Sequence, residues 1–187
     1  MSLDAVPHPA SDHSPPPAKP AVRRWRVVGR APARPGPAAA LHSIGVGTIV
    51  LLGLVAIGAA IHEPVLIPSL AASAALVHSA PTMPLAQPRS LVVGHLLGVV
   101  AGYGVLAVAG SSAWAAAAAA GLTMALMTLA RTPHSPACAT TVVIVLQTPA
   151  PARFVPLLVG ACVLMVLAEY VVSRLRRDAP KYPAYWW

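Results

Sequence analysis

Charge is scarce in this sequence. Only 10% of the 187 residues are Asp, Glu, Lys or Arg, where a water-soluble domain carries about 25%. Between Leu41 and Val172 the charged residues are Glu63, Arg89, Arg131, Arg153 and Glu169 alone. A chain that is 57% hydrophobic cannot hide so much apolar surface in a water-soluble core, so lipid must cover it. There are two cysteines, Cys138 and Cys162, both in apolar stretches and without CxxC or Cys/His ligand spacing. That excludes a disulfide framework and a zinc site, and leaves them as small packing residues. HExxH, GxSxG and P-loop patterns are absent, as is an acidic pair for acid–base or metal chemistry, so neither an enzyme nor a cofactor is expected.

What charge there is sits at the ends. Lys19, Arg23, Arg24, Arg26, Arg30 and Arg34 precede the apolar region, and Arg174, Arg176, Arg177 and Lys181 follow it. The net charge of +8 therefore speaks for cytoplasmic flanks of membrane spans and contact with anionic lipid rather than for nucleic acid. Residues 1–37 hold nine of the 21 prolines and little that could pack, so they read as a disordered, basic, Pro-rich tail. A secretory signal peptide is not expected, because the basic region lies too far in and the apolar run after it is too long.

Leu41–Ile61, Ser90–Ala109, Ser111–Ala130 and Phe154–Val172 are apolar runs of 21, 20, 20 and 19 residues, enough to span a bilayer. Val65–His78 and Ala137–Gln147, with 14 and 11 residues, reach only about 21 and 17 Å against a hydrocarbon core of about 30 Å. Both short runs are led by prolines: Pro64 and Pro68 for one, Pro133 and Pro136 for the other. They are either re-entrant pieces or discontinuous spans that begin as extended chain and end as a half-helix. The fold expected is thus an all-α membrane protein of two similar halves, each a long helix, a short Pro-led segment and a long helix. If both short segments cross, there are six passes, and 12 of the 13 Lys and Arg lie inside with only Arg153 outside; if both re-enter, there are four. An odd number of segments per half would make the repeat inverted. Paired short, interrupted segments of this kind mark the binding site of transporters. Three regions follow: a tail over 1–37, a membrane domain over 38–175, and a basic, aromatic cytoplasmic tail over 176–187. Trp114, Tyr170, Tyr182, Tyr185, Trp186 and Trp187 suit interfacial belts.

The chemistry concentrates around the short segments. Arg89 and Arg131 can each grip a planar oxyanion with two N–H donors. His134 lies between Pro133 and Pro136, and His95 about six residues into a span, where an ionisable group is costly and a functional candidate. Half-helix starts near Ser69 and Ala137 would add free N–H groups and a positive dipole end. The bland alternatives are topology charges for the arginines, a helix cap for His134 and an interhelical hydrogen bond for His95. Glu169 reads as snorkelling beside Arg174, or as a competitor for the anion site. His42 and His78 carry no signal, and the glycines Gly45, Gly47, Gly53, Gly58, Gly94, Gly98 and Gly102 read as close-packing positions.

One stretch is distinctive: Met83-Pro84-Leu85-Ala86-Gln87-Pro88-Arg89 leading to Gly94-His95, with Ala71-Ala72-Ser73-Ala74 before it and Arg131-Thr132-Pro133-His134-Ser135-Pro136 after it. It resembles the HPP family of integral membrane proteins. Members typically show Gly-Ala-Ser-Ala, then Pro-Leu-Ala-Gln-Pro-Arg with a following Gly-His, then Arg-Thr-x-His-Pro-Pro. The resemblance covers about residues 41–172, with Ser135 in place of the first proline of the name-giving motif. It implies four membrane helices and, from plant and cyanobacterial relatives, nitrite transport. The expected function is therefore a small-anion transporter in a bacterial inner (plasma) membrane, both termini cytoplasmic. Its anion site would use Arg89, Arg131, His134, Ser135 and His95. The partners expected are lipid and a small inorganic anion, and self-association into a homo-oligomer is left open. The alternative is a membrane scaffold docking partners through its tails, which would need no polar residues at mid-membrane.

Overall fold

The computed structural model describes residues 34–176 and 180–186. Most of the tail expected over 1–37, Arg177 and Trp187 therefore lie outside the described residues. The described chain is six α-helices: α1 (Pro37–Ile61), α2 (Pro68–Ser79), α3 (Pro88–Ala109), α4 (Ala113–Leu129), α5 (Pro136–Gln147) and α6 (Pro151–Leu175), with a short 3-10 turn at Pro84–Ala86. Five of the six begin with proline, whose missing N–H costs nothing in a first turn and whose fixed φ suits a helix start. Ser112 opens α4 instead, its hydroxyl accepting the Ala115 N–H at 3.1 Å. α4 ends where Arg131 turns left-handed (φ 55°) and the Thr132 N–H returns to the Met127 carbonyl at 2.9 Å. α4 has 17 residues, beginning two residues later and ending one earlier than the 20-residue run expected.

α1, α3 and α6 are long and apolar enough to cross a membrane. α2 and α5 have 12 residues each, about 18 Å of helix, and each follows a stretch of non-helical chain. The hydrogen bonds show where that chain leads. Glu63 pairs with Arg153 near the start of α6 at 2.9 Å, while His78 pairs with Glu169 near its end at 2.7 Å. Those partners are 16 residues apart on α6, or about 24 Å, so residues 63–78 run from one end of the bundle to the other. In the second half Arg89 at the start of α3 donates to the Ala130 carbonyl. Tyr103, 14 residues on and about 21 Å away, donates to the Pro149 carbonyl. Residues 130–149 therefore also traverse the bundle. Both short segments run the length of the bundle, and the described chain has six helical segments.

The packing pairs are α1 with α2 and α6, α2 with α5 and α6, α3 with α4, α5 and α6, and α4 with α5. Exchanging helices 1, 2 and 3 for 4, 5 and 6 returns the same set of pairs. α3 lies close on α5 because Gly94, Gly98 and Gly102 face it. A Cβ at Gly98 would stand 2.8 Å from the Ala137 carbonyl oxygen, and one at Gly102 would stand 3.1 Å from the Ile144 side chain. The close-packing expectation does not hold at Gly45 and Gly53, where a Cβ would meet nothing within 4 Å. Large apolar side chains such as Leu41, Ile49, Val108 and Trp114 point outward. In water that surface would be unstable; in lipid it is the ordinary exterior of a membrane protein.

Candidate functional site

Between the helices the polar side chains converge. Ser69, Ser73, His95, Thr123, His134, Thr140 and Thr141 are all essentially inaccessible. They come from α2, α3, α4, α5 and the loop before α5. Ser73 Oγ lies 3.0 Å from His95 Nε2 and 2.9 Å from His134 Nε2. His134 Nδ1 donates to the Leu85 carbonyl at 2.8 Å. His95 Nδ1 lies 2.8 Å from Thr140 Oγ1, and Thr140 donates in turn to Ser69 Oγ at 2.8 Å. The two imidazole rings stand edge to face, centroids 4.9 Å apart. Thr123 and Thr141 close a second link at 2.8 Å, with Thr141 anchored on the Gly98 and Ala137 carbonyls. Such bonds join helices in lipid, where apolar contact alone gives little association.

The Pro84–Ala86 turn positions this cluster. Gln87, fully buried, donates through Nε2 to the Pro81 and Met83 carbonyls at 2.8 and 3.0 Å. Its Oε1 accepts the Ala184 N–H at 2.9 Å. The Tyr182 hydroxyl donates to the Ala86 carbonyl at 2.9 Å. Burial, reinforced by the Glu169 carboxylate, holds that phenol above its usual range, so it stays a donor. These bonds fix the turn so that the Leu85 carbonyl meets His134. The segment after α6 is thus docked on the bundle at Tyr182, a residue read from the sequence as an interfacial belt residue; Tyr185 and Trp186 remain exposed.

Against His134 lies a cavity of about 600 Å³, lined by Leu85, Met127, Arg131, His134, Ser135 and Cys138 among others. Arg131 and Ser135 are exposed at its rim. Of the five residues read as a site, three therefore line one cavity: Arg131, His134 and Ser135. His95 sits behind His134, and Arg89 stands beside the cavity with Nη2 on the Ala130 carbonyl at 3.1 Å. Two expectations change. Both ring nitrogens of His134 are engaged within the protein, leaving no ring N–H for an anion. Several N–H groups at the half-helix starts are engaged as well. Ala137 and Cys138 donate to the His134 and Ser135 carbonyls, and Leu70 and Ala71 donate to that of Ile67. The charge lining the cavity is that of Arg131.

Glu169 is not a competitor for this cavity. It is buried on α6 with Oε2 accepting from His78 Nδ1 at 2.7 Å and Oε1 3.9 Å from His42 Nε2. Sequence reasoning missed His42 and His78 because their partner lies on another helix, 91 positions from His78. No three His, Cys, Asp or Glu side chains among the described residues are placed to hold a metal ion.

A family model described as HPP, transmembrane region, matches residues 32–183. The chain belongs to the HPP family. Two Dictyostelium discoideum proteins, each named only as a transmembrane protein, are similar to it. One is 39% identical over 133 residues, 66% of this chain and 46% of that protein. The other is 35% identical over 132 residues, 65% of this chain and 42% of that protein. The match thus spans less than half the length of these relatives. No solved structure matches.

Proposed function

We propose that this HPP protein is a small-anion membrane transporter, with nitrite the leading substrate. The observation that carries the reading is the cavity at the break between α4 and α5. It presents the Arg131 guanidinium beside the α5 start and is backed by a polar cluster at mid-bundle. A guanidinium holds a planar oxyanion with two parallel N–H bonds, and non-helical backbone at membrane depth is tolerated where it lines such a cavity. A scaffold acting through its tails has no use for this arrangement. Nitrite itself comes from the family resemblance and rests on it alone.

The orientation follows from charge. Arg89, Arg131, Arg174 and Arg176 share one end of the bundle and Arg153 lies at the other, so the end where α1 starts and α6 finishes is cytoplasmic. A bacterial plasma membrane is the proposed site, and imaging a tagged chain in its own cell checks it. Counterflow of labelled nitrite into proteoliposomes tests transport. Arg131→Gln should raise the half-saturating nitrite concentration about tenfold, the loss of one charge-assisted hydrogen bond, with protein abundance unchanged. Wild-type affinity and rate in a correctly inserted Arg131→Gln protein would sink the anion site and move the scaffold reading ahead.

A further inference from the structure

We propose that His95 and His134, bridged by Ser73, form the binding site of a co-transported proton; the inference rests on the transport reading above. Leu85 offers His134 Nδ1 a carbonyl, which can only accept, so Nδ1 carries a hydrogen. Thr140 gives its single hydrogen to Ser69 Oγ, so it can only accept from His95 Nδ1. With both Nδ1 atoms protonated, neutral rings leave two bare Nε2 lone pairs, 3.0 and 2.9 Å from Ser73 Oγ. Ser73 has one hydrogen, and the Ser69 carbonyl at 2.8 Å competes for it. A buried acceptor left without a donor is unfavourable. One added proton resolves the conflict. The imidazolium donates through Nε2 to Ser73 Oγ, and Ser73 donates to the other imidazole. The proton is bound from solution and is carried through the cycle, and no other bond is made or broken.

The added charge calls for an anion. Facing His134 are His95 from α3, Ser73 from α2, the Leu85 carbonyl from the 3-10 turn and Cys138 from α5, with Arg131 on its own loop. None is a carboxylate. The two carboxylates among the described residues, Glu63 and Glu169, pair with Arg153 and with His78. Isolated positive charge is costly at membrane depth, so a bound anion in the adjoining cavity favours the proton and the proton favours the anion. That reciprocity is a coupling free energy between two sites, and it makes one nitrite and one proton the transported unit.

The test uses the full chain in proteoliposomes with the membrane potential clamped and a pH-sensitive dye trapped inside. Nitrite uptake should acidify the lumen by one proton per nitrite beyond the signal of protein-free vesicles. Nitrite affinity of the purified protein should tighten about tenfold as the pH falls. Ser73→Ala should flatten that dependence and Ser73→Thr, which keeps the hydroxyl, should restore it. Should Ser73→Ala fail to fold, nitrogen-15 histidine spectra of the wild-type protein serve instead: adding nitrite should raise the imidazolium signal. Nitrite exchange without proton movement, or without a rise in imidazolium, would overturn the proton site and leave the transport reading standing. Absence of any nitrite exchange would overturn both.

Discussion

Ser135 stands where the family motif has its first proline, and its backbone is already proline-like, with φ −53°. Its hydroxyl makes no capping bond and its side chain is exposed, so a pyrrolidine ring displaces nothing. Ser135→Pro should therefore be tolerated and, by restricting the unfolded chain, should stabilise by about 0.5 kcal/mol. A thermal melt in detergent checks this, and a fall of several degrees would mean that His134 cannot accept a following proline. Glu169 behaves in the opposite way. Its carboxylate is sealed with His78, whose Nε2 is itself buried without a partner. Glu169→Ala would strand His78 Nδ1 as well, at a cost of about 1–3 kcal/mol and with Arg174 uninvolved; a melt unchanged from wild type would show the pair to be dispensable. The motif residues were visible in the sequence because they are distinctive letters in a run. The role of Glu169 was not, because a snorkelling acid and a buried acid look the same until the partner helix is known.

At the scale of elements, apolar runs marked the helices well and their starts poorly. The runs from 41, 90 and 154 lie inside helices that begin at Pro37, Pro88 and Pro151. Counting from the first apolar residue overlooks that proline belongs to a helix's first turn. The run from Val65 holds the break read from its prolines: Val65–Ile67 are non-helical and α2 starts at Pro68, next to the half-helix start expected near Ser69. The glycines could be recognised as packing residues but not sorted, because sorting needs the neighbouring helix. Their difference is measurable. Gly98→Val would drive a side chain into the Ala137 carbonyl and part α3 from α5, costing about 1–3 kcal/mol and loosening the Ser73 cluster. Gly45→Ala meets open space and should leave the melting temperature unchanged. Equal effects at the two positions would mean that the α3–α5 contact is not the close one described.

For the whole molecule the decisive feature is that two 12-residue helices, each too short to span alone, are extended along the bundle by non-helical chain. Hydropathy could not choose between crossing and re-entry, because it measures length and apolarity and says nothing of where a loop is tied. The ties are single bonds, Glu63 to Arg153 at one end and His78 to Glu169 at the other. The exposed ion pair adds little stability, but it still reports position. A molecule in which both short segments cross has three segments per half, so its halves point in opposite directions across the membrane, the arrangement in which alternating access arises by rocking one repeat against the other. The consequence is directly testable. Thr82 and Thr148 are both exposed, the first in the α2–α3 connection and the second just after α5, at opposite ends of the bundle. In a background with Cys138→Ser, a membrane-impermeant thiol reagent added to intact cells should label Thr148→Cys at once. Thr82→Cys should react only after permeabilisation. Labelling of both from outside would bring the two loops to one face and restore the re-entrant arrangement. Labelling of Thr82→Cys alone would keep the six crossings but turn the molecule over, placing the Arg131 cavity on the outer face.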